Sequence, residues 1–252
     1  MATPGIAHRL LTRPWVASWA LVERALYQGH AYTFAVPYGA RVFTPWNAPG
    51  ASQFGTALAA ARRGGPMIVT PDRCYVLHEF ALRAVRLGGD VAEAGVYWGG
   101  TAQLLAETLR GSEATLHLFD SFAGMPDWAD AVRDWHRPGE LATSEAVVRR
   151  RLDAYERVAF HVGFVPETFA EMDPDTRFGF VHLDMDIYGS TLAGCEWFWP
   201  RIVPGGAMVL DDYGFWPHRD AARAATEEYF ADKAERVIAL PTGQGLIIKY
   251  EA

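Results

Sequence analysis

The chain has 252 residues, half of them hydrophobic and 21% charged, which suits one domain with a sizeable core, or one domain with an extension. Its 23 basic and 30 acidic residues give a net charge of −7 with no long basic run, which argues against nucleic acid and anionic membrane as partners. Cys74 and Cys195 are too few and too isolated for a disulfide framework or a zinc site; both fall in apolar helical patterns that suit buried, inert thiols.

The first 66 residues differ from the rest. Met1 to Arg13 lacks the pattern of a signal peptide, and no later stretch has the apolar length of a membrane span, so a cytoplasmic location is expected. Helical patterns cover Pro14–Gln28 and Ala51–Arg63, and a strand-like run Tyr32–Val36 ends at the turn Pro37-Tyr38-Gly39. Trp15, Trp19, Tyr38 and Trp46 are among the aromatics that this region holds. Such a region reads as a lid over an apolar substrate, or as a surface packed on the main domain or a second subunit.

From Met67 the pattern becomes regular. Helix Asp72–Leu87 precedes strand Val91–Gly95, helix Thr101–Arg110 and strand Thr115–Asp120. After a long loop come helix Ser144–Tyr155, strand Val158–Gly163, a short helix near Glu167–Met172 and strand Phe178–Asp184. Helix Thr191–Phe198, strand Ala207–Asp211 and helix Arg219–Ala231 follow, and the runs Arg236–Leu240 and Leu246–Tyr250 read as an antiparallel hairpin. The alternation predicts an α/β fold with a doubly wound parallel sheet over residues 67–252.

The turn after the first of these strands, Glu93-Ala94-Gly95-Val96-Tyr97-Trp98-Gly99-Gly100, is glycine-rich and opens a helix, so free N–H groups point into the crevice beyond the strand ends. It lacks the G-x-G pair of a dinucleotide site, and Glu93 would face a pyrophosphate unfavourably. A carboxylate there suits a cationic ligand end, such as the amino group of S-adenosylmethionine (SAM); a structural turn without ligand is the alternative. Asp120 ends the next strand, where an acid can accept hydrogen bonds from both ribose hydroxyls or cap the turn that follows.

Asp184-Met185-Asp186 and Asp211-Asp212-Tyr213 end two later strands and open onto the same crevice. Carboxylates converging without a basic partner nearby in sequence repel one another, and a hard divalent cation relieves that. Two independent helix caps are the other reading.

Four motifs stand in the order found in one family: the Glu93–Gly100 loop, Asp120-Ser121-Phe122-Ala123-Gly124-Met125-Pro126, Leu183-Asp184-Met185-Asp186-Ile187-Tyr188-Gly189-Ser190-Thr191, and Pro204-Gly205-Gly206 through Asp211-Asp212-Tyr213. Over about residues 72 to 250 the chain resembles the SAM-dependent macrocin and mycinamicin O-methyltransferases, which methylate sugar hydroxyls of macrolide antibiotics. The resemblance implies a class I SAM-methyltransferase fold, SAM and Mg²⁺ as cofactors, a hydroxyl of a natural-product small molecule as acceptor, and a homo-oligomer, with a homodimer favoured. The implied SAM contacts are Glu93, Gly95, Val96, Tyr97, Gly99, Gly100 and Thr101 of the loop, then Asp120, Ser121 and Phe122. Gly163 and Phe164 fall near the adenine, and Asp184 borders the cofactor as well. The implied metal ligands are Asp184, Asp211 and Asp212, and His136 matches a loop histidine of the family. Because a histidine titrates near working pH it is the candidate base, with Asp184 in reserve, and a solvated loop histidine is the other reading. Trp98 stands where the family usually has a basic residue, and Met185 where it has glycine. Methyl transfer to another atom, a SAM-dependent rearrangement and a nucleotide-binding oxidoreductase are the competing activities.

His117, His161 and His182 each sit inside a strand, the first two on one side of the Gly95 strand and the third on the other. They read as core or sheet-face residues rather than as one metal site.

Overall fold

The structure, a computed structural model, describes residues 52–250 apart from 131 and 216–217. The helix expected over Pro14–Gln28, the strand over Tyr32–Val36 and their aromatics lie outside the described residues.

Seven strands make one sheet: β1 (Asp90–Ala94), β2 (Leu116–Asp120), β3 (Val158–Val162), β4 (Phe178–Leu183), β5 (Ile202–Leu210), β6 (Ile238–Ala239) and β7 (Gly245–Ile248). Their order is β3-β2-β1-β4-β5-β7-β6, with β1 to β5 parallel and β7 antiparallel to both of its neighbours. This is the class I methyltransferase arrangement, closing hairpin included. The helices are α1 (Ser52–Gly64), α2 (Pro71–Leu87), α3 (Gly100–Thr108), α4 (Glu145–Leu152), α5 (Tyr188–Phe198) and α6 (Ala224–Phe230), the last entered through a π-turn at Arg219–Arg223.

Strand alternation sorts the side chains into two cores. Val91, Leu118, Phe180 and Val209 face Phe54 of α1, Leu77 of α2, Leu104 of α3 and Val148 of α4. Ala92, Phe119, Val181 and Met208 face the other way, onto Cys195 and Phe198 of α5 and Phe230 of α6. Phe180 is fully buried, so Phe180→Ala costs about 3–5 kcal/mol in lost transfer energy and cavity. In α1, Phe54, Ala57, Leu58 and Ala61 recur at helical spacing and are all buried. The thiols of Cys74 and Cys195 are buried and unpaired, and burial pushes both up, Cys195 to about 12. No helix among the described residues is long and apolar enough to cross a membrane.

α2 starts at Pro71 and stops at Gly88, whose φ of 71° closes the last turn. α5 begins at Tyr188, ahead of the expected Thr191, although its N-cap Ile187 has no capping side chain. The missing acceptor comes from Asp134, whose Oδ1 takes the Tyr188 N–H at 2.9 Å. β5 also begins earlier than expected, because Pro204-Gly205-Gly206 is carried inside the strand by a register shift against β4.

β1 and β4 are neighbours whose connections leave in opposite directions, and the crevice at their carboxyl ends is where such sheets bind ligands. Gly95 sits at this crossing with φ 89°; a Cβ there would lie 1.8 Å from the Asp184 carbonyl oxygen. Only glycine fits.

Candidate active site

A cavity of about 320 Å³ opens at these strand ends, within the range of small-molecule sites. Gly95, Val96, Tyr97, Gly100 and Thr101 border it, with Asp120 and Ser121 beside them and Gly163 and Phe164 opposite. Asp184, Asp186, Asp211, Asp212 and His136 complete the wall. Tyr97 and Asp186 hold positive φ, 51° and 61°, which is uncommon for residues with side chains and marks the site.

Three expected cofactor contacts are not in that wall. Gly99, with φ 71°, caps α3, and a Cβ there would meet Val148 at 2.9 Å. Phe122 is buried in the core. Glu93 lies behind the loop, fully buried, because alternation along β1 turns it away from the strand end and toward the helices. Its Oε1 is 3.0 Å from Nδ1 of His182 in the next strand of the sheet, and its Oε2 has no hydrogen-bond partner.

Asp120 fixes the glycine turn. Its Oδ2 accepts the Val96 and Tyr97 N–H groups at 2.7 and 2.9 Å, and Oδ1 accepts the Phe122 N–H at 2.7 Å. Three of roughly four lone-pair sites are used, leaving about one for a ligand hydroxyl.

Behind the cavity runs a buried row of alternating charge. His182 stands between Glu93 and Asp211, with Nε2 3.4 Å from Asp211 Oδ1. Burial works against its charge, yet the Asp211 and Glu93 carboxylates on either side outweigh it and hold the imidazole at about 9. Asp211 also takes Gln244 Nε2 at 2.9 Å and pairs with Arg73, whose guanidinium lies 4.7 Å over the Phe215 ring. Burial opposes its charge as well, but His182 and Arg73 keep its carboxyl below the usual range.

Asp184 and Asp212 are less well supported, since Arg73 reaches Asp212 Oδ1 only at 3.9 Å. Burial first, and then the surrounding carboxylates, push both well above the usual carboxylate range. Asp212 Oδ2 has no hydrogen-bond partner. Carboxylate oxygens of Asp184, Asp186 and Asp212 lie within 4.8 Å of one another, and those of Asp184 and Asp211 group with His182 in the same way. An oxygen-rich, mutually repelling and partly unpartnered set fits a hard divalent cation. Of the three expected ligands, Asp184 converges with Asp212 and, in the other group, with Asp211, which Arg73 also holds; Asp186 is a further neighbour without a role in the sequence reading.

His136 stands at the mouth, Nδ1 3.1 Å from Glu140 Oε2 and Nε2 3.7 Å from Asp186 Oδ1. Asp186, and to a lesser degree Glu140, raise it to about 9 against the opposing effect of partial burial. His218, not singled out in the sequence, faces Asp186 from the other side, Nε2 3.6 Å from the same oxygen. His117 and His161 do lie elsewhere, 3.1 Å apart, on the opposite face of the sheet from His182.

A family model described as macrocin-O-methyltransferase (TylF) matches residues 69–241. The chain belongs to this family. One member-like relative is the 8-demethyl-8-(2,3-dimethoxy-alpha-L-rhamnosyl)-tetracenomycin-C 4'-O-methyltransferase of Streptomyces olivaceus, 33% identical over 154 residues, or 56% of this chain and 58% of that protein. Another is the mycinamicin III 3''-O-methyltransferase of Micromonospora griseorubida, 32% identical over 156 residues, 56% of this chain and 60% of that one. The chain thus spans about three fifths of the length of these relatives. The solved structure of the O-methyltransferase NovP is similar to this chain at 25% identity and a TM-score of 0.62, over 73% of this chain and 84% of NovP.

Proposed function

We propose that the protein transfers a methyl group from SAM to a hydroxyl of a natural-product small molecule, a sugar hydroxyl being the first class of acceptor to try. The observation that carries this is the meeting, in one cavity, of an acid-fixed glycine turn with a cluster of repelling carboxylates. Family membership and the rhamnosyl group in the name of one relative support it.

Asp120 holds the glycine turn and offers its remaining lone pair to a ribose hydroxyl. Gly163 and Phe164 border the opposite wall, where the adenine fits. Asp184 and Asp212, with Asp211 beside them, would hold Mg²⁺, which when bound offsets their charge and lowers the pKa of an acceptor hydroxyl. Holding the acceptor at reacting distance supplies much of the catalysis of such a displacement.

The hydroxyl proton leaves to Nε2 of His136, which borders the cavity. That nitrogen accepts only in the neutral ring, and the raised pKa places the neutral ring on the alkaline side. Asp184, the reserve base, is pushed toward its protonated form in the cation-free chain and is less fit for the task.

Calorimetry with SAM on the wild type and on Asp120→Ala tests the reading. Losing a charge-assisted hydrogen bond should weaken SAM by about 10- to 150-fold. Equal affinity in the two proteins, or no binding to either, speaks against it.

A further inference from the structure

Beside the carboxylate cluster, a group with different donor chemistry converges. Nε2 of His136 and Nε2 of His218 lie 3.7 and 3.6 Å from the same Asp186 oxygen. Those separations are too long for hydrogen bonds. They are close to the edge, roughly 3.3 Å, of a tetrahedron with metal–ligand bonds of about 2.0–2.1 Å. All three atoms lie within 4.8 Å of one another, and the two rings face each other at 5.6 Å and 31°.

The far nitrogens of the rings fix which atoms are free. His136 Nδ1 meets a Glu140 carboxylate oxygen, which only accepts, so Nδ1 carries the hydrogen. His218 Nδ1 lies 3.3 Å from the Asp186 carbonyl oxygen, which also only accepts. In both neutral rings the lone pair therefore sits on Nε2, the nitrogen aimed at the shared point. Metal-binding histidines are held in this way, by a carboxylate or carbonyl on the opposite nitrogen. Glu140 is itself fixed by the Arg137 N–H at 3.1 Å, and His218 is nearly buried.

We infer that His136, Asp186 and His218 form a site for a transition dication of the Zn²⁺ class, with its fourth position open to the cavity. Two imidazoles and one carboxylate suit Zn²⁺ or Co²⁺, whereas Mg²⁺ takes oxygen ligands, so the two neighbouring groups divide cations by donor type. Binding of this ion does not depend on the proposed activity. If methyl transfer is the activity, the ion sequesters His136 and is an inhibitor rather than the working cation.

Co²⁺ titrated into the full chain in the presence of excess Mg²⁺ is the test. The site predicts visible absorption bands of low-coordinate Co²⁺, bleached by one equivalent of Zn²⁺. His136→Ala and His218→Gln should each weaken Co²⁺ by about 100-fold or more, and Glu140→Gln by about 10- to 100-fold. Circular dichroism checks each variant; should His218→Gln not fold, His136→Ala and Glu140→Gln decide. Co²⁺ affinity that is equal in wild type and folded variants, or only the pale spectrum of six oxygen ligands, overturns the inference.

Discussion

The Asp134 carboxylate accepts the Tyr188 amide at 2.9 Å, across 54 residues of sequence. Tyr188 follows Asp186 by two residues, and Asp134 precedes His136 by two, so one bond both caps α5 and sets His136 against Asp186. The other Asp134 oxygen takes the Asp130 amide at 2.7 Å, and Arg133 lies 4.1 Å over the Tyr188 ring. Asp134→Ala should cost about 1–2 kcal/mol as a lost cap. It should also lower kcat more than the KM for SAM, and add nothing further in a His136→Ala background. Steady-state kinetics of the two single variants and the double variant check this; additive losses would mean that Asp134 only holds the fold.

His136→Ala should lower kcat by about 10²- to 10⁴-fold. In wild type, kcat/KM should rise with pH toward about 9, as the imidazole loses the proton that Asp186 and Glu140 stabilise, and this limb should vanish in the variant. A flat profile, or near-normal turnover of His136→Ala, would move the proton elsewhere.

Strand ends were the legible part of this chain. Runs of apolar residues closed by Gly95, Asp120, Asp184 and Asp211 predict the sheet and the acids around its crevice, because strand period and turn residues are local properties. Partners across strands are not local. Glu93 reads as a ligand contact from the sequence, whereas its His182 partner depends on the register of β1 against β4. Asp211 looked like a ligand with no basic neighbour, yet Arg73 reaches it from 138 residues away. The start of α5 was misplaced for the same reason, since its cap comes from Asp134. His218 carried no pattern of its own, although its position shortly after Asp211-Asp212 could have placed it near the crevice.

Asp211 and Asp212 should separate stability from cation binding. Asp211→Asn removes one of the two charge partners of both Arg73 and His182 in a buried setting, which costs up to about 3–5 kcal/mol. Asp212→Asn removes repulsion, so the cation-free chain should be at least as stable as wild type, while Mn²⁺ affinity falls. Urea melts with paramagnetic Mn²⁺ titrations read both; Mn²⁺ binding unaffected by Asp212→Asn would remove that residue from the cation's ligands.

Acid should weaken the fold through His78. The side chain is 1% exposed, hydrogen-bonded to Thr108 Oγ1 at 2.8 Å, and burial lowers it from 6.5 to about 4. The unfolded chain therefore binds more protons than the folded one between those values, so stability falls as pH drops from 6.5 toward 4. The loss between pH 7 and 5 should be roughly 2 kcal/mol from this residue. His161, also lowered to about 4 by burial, acts in the same direction. Urea denaturation at both pH values should show a smaller difference for His78→Gln, and an equal difference would assign the acid sensitivity to other groups.

The most direct test of methyl transfer is mass spectrometry of the full chain incubated with SAM, Mg²⁺ and a panel of rhamnosyl and macrolide-sugar acceptors. The account predicts an acceptor heavier by one methyl substitution and an equal yield of S-adenosylhomocysteine, both lost after chelation and restored by Mg²⁺. Bound SAM with neither product across the panel would argue for another acceptor class; no SAM bound and no product would contradict the account.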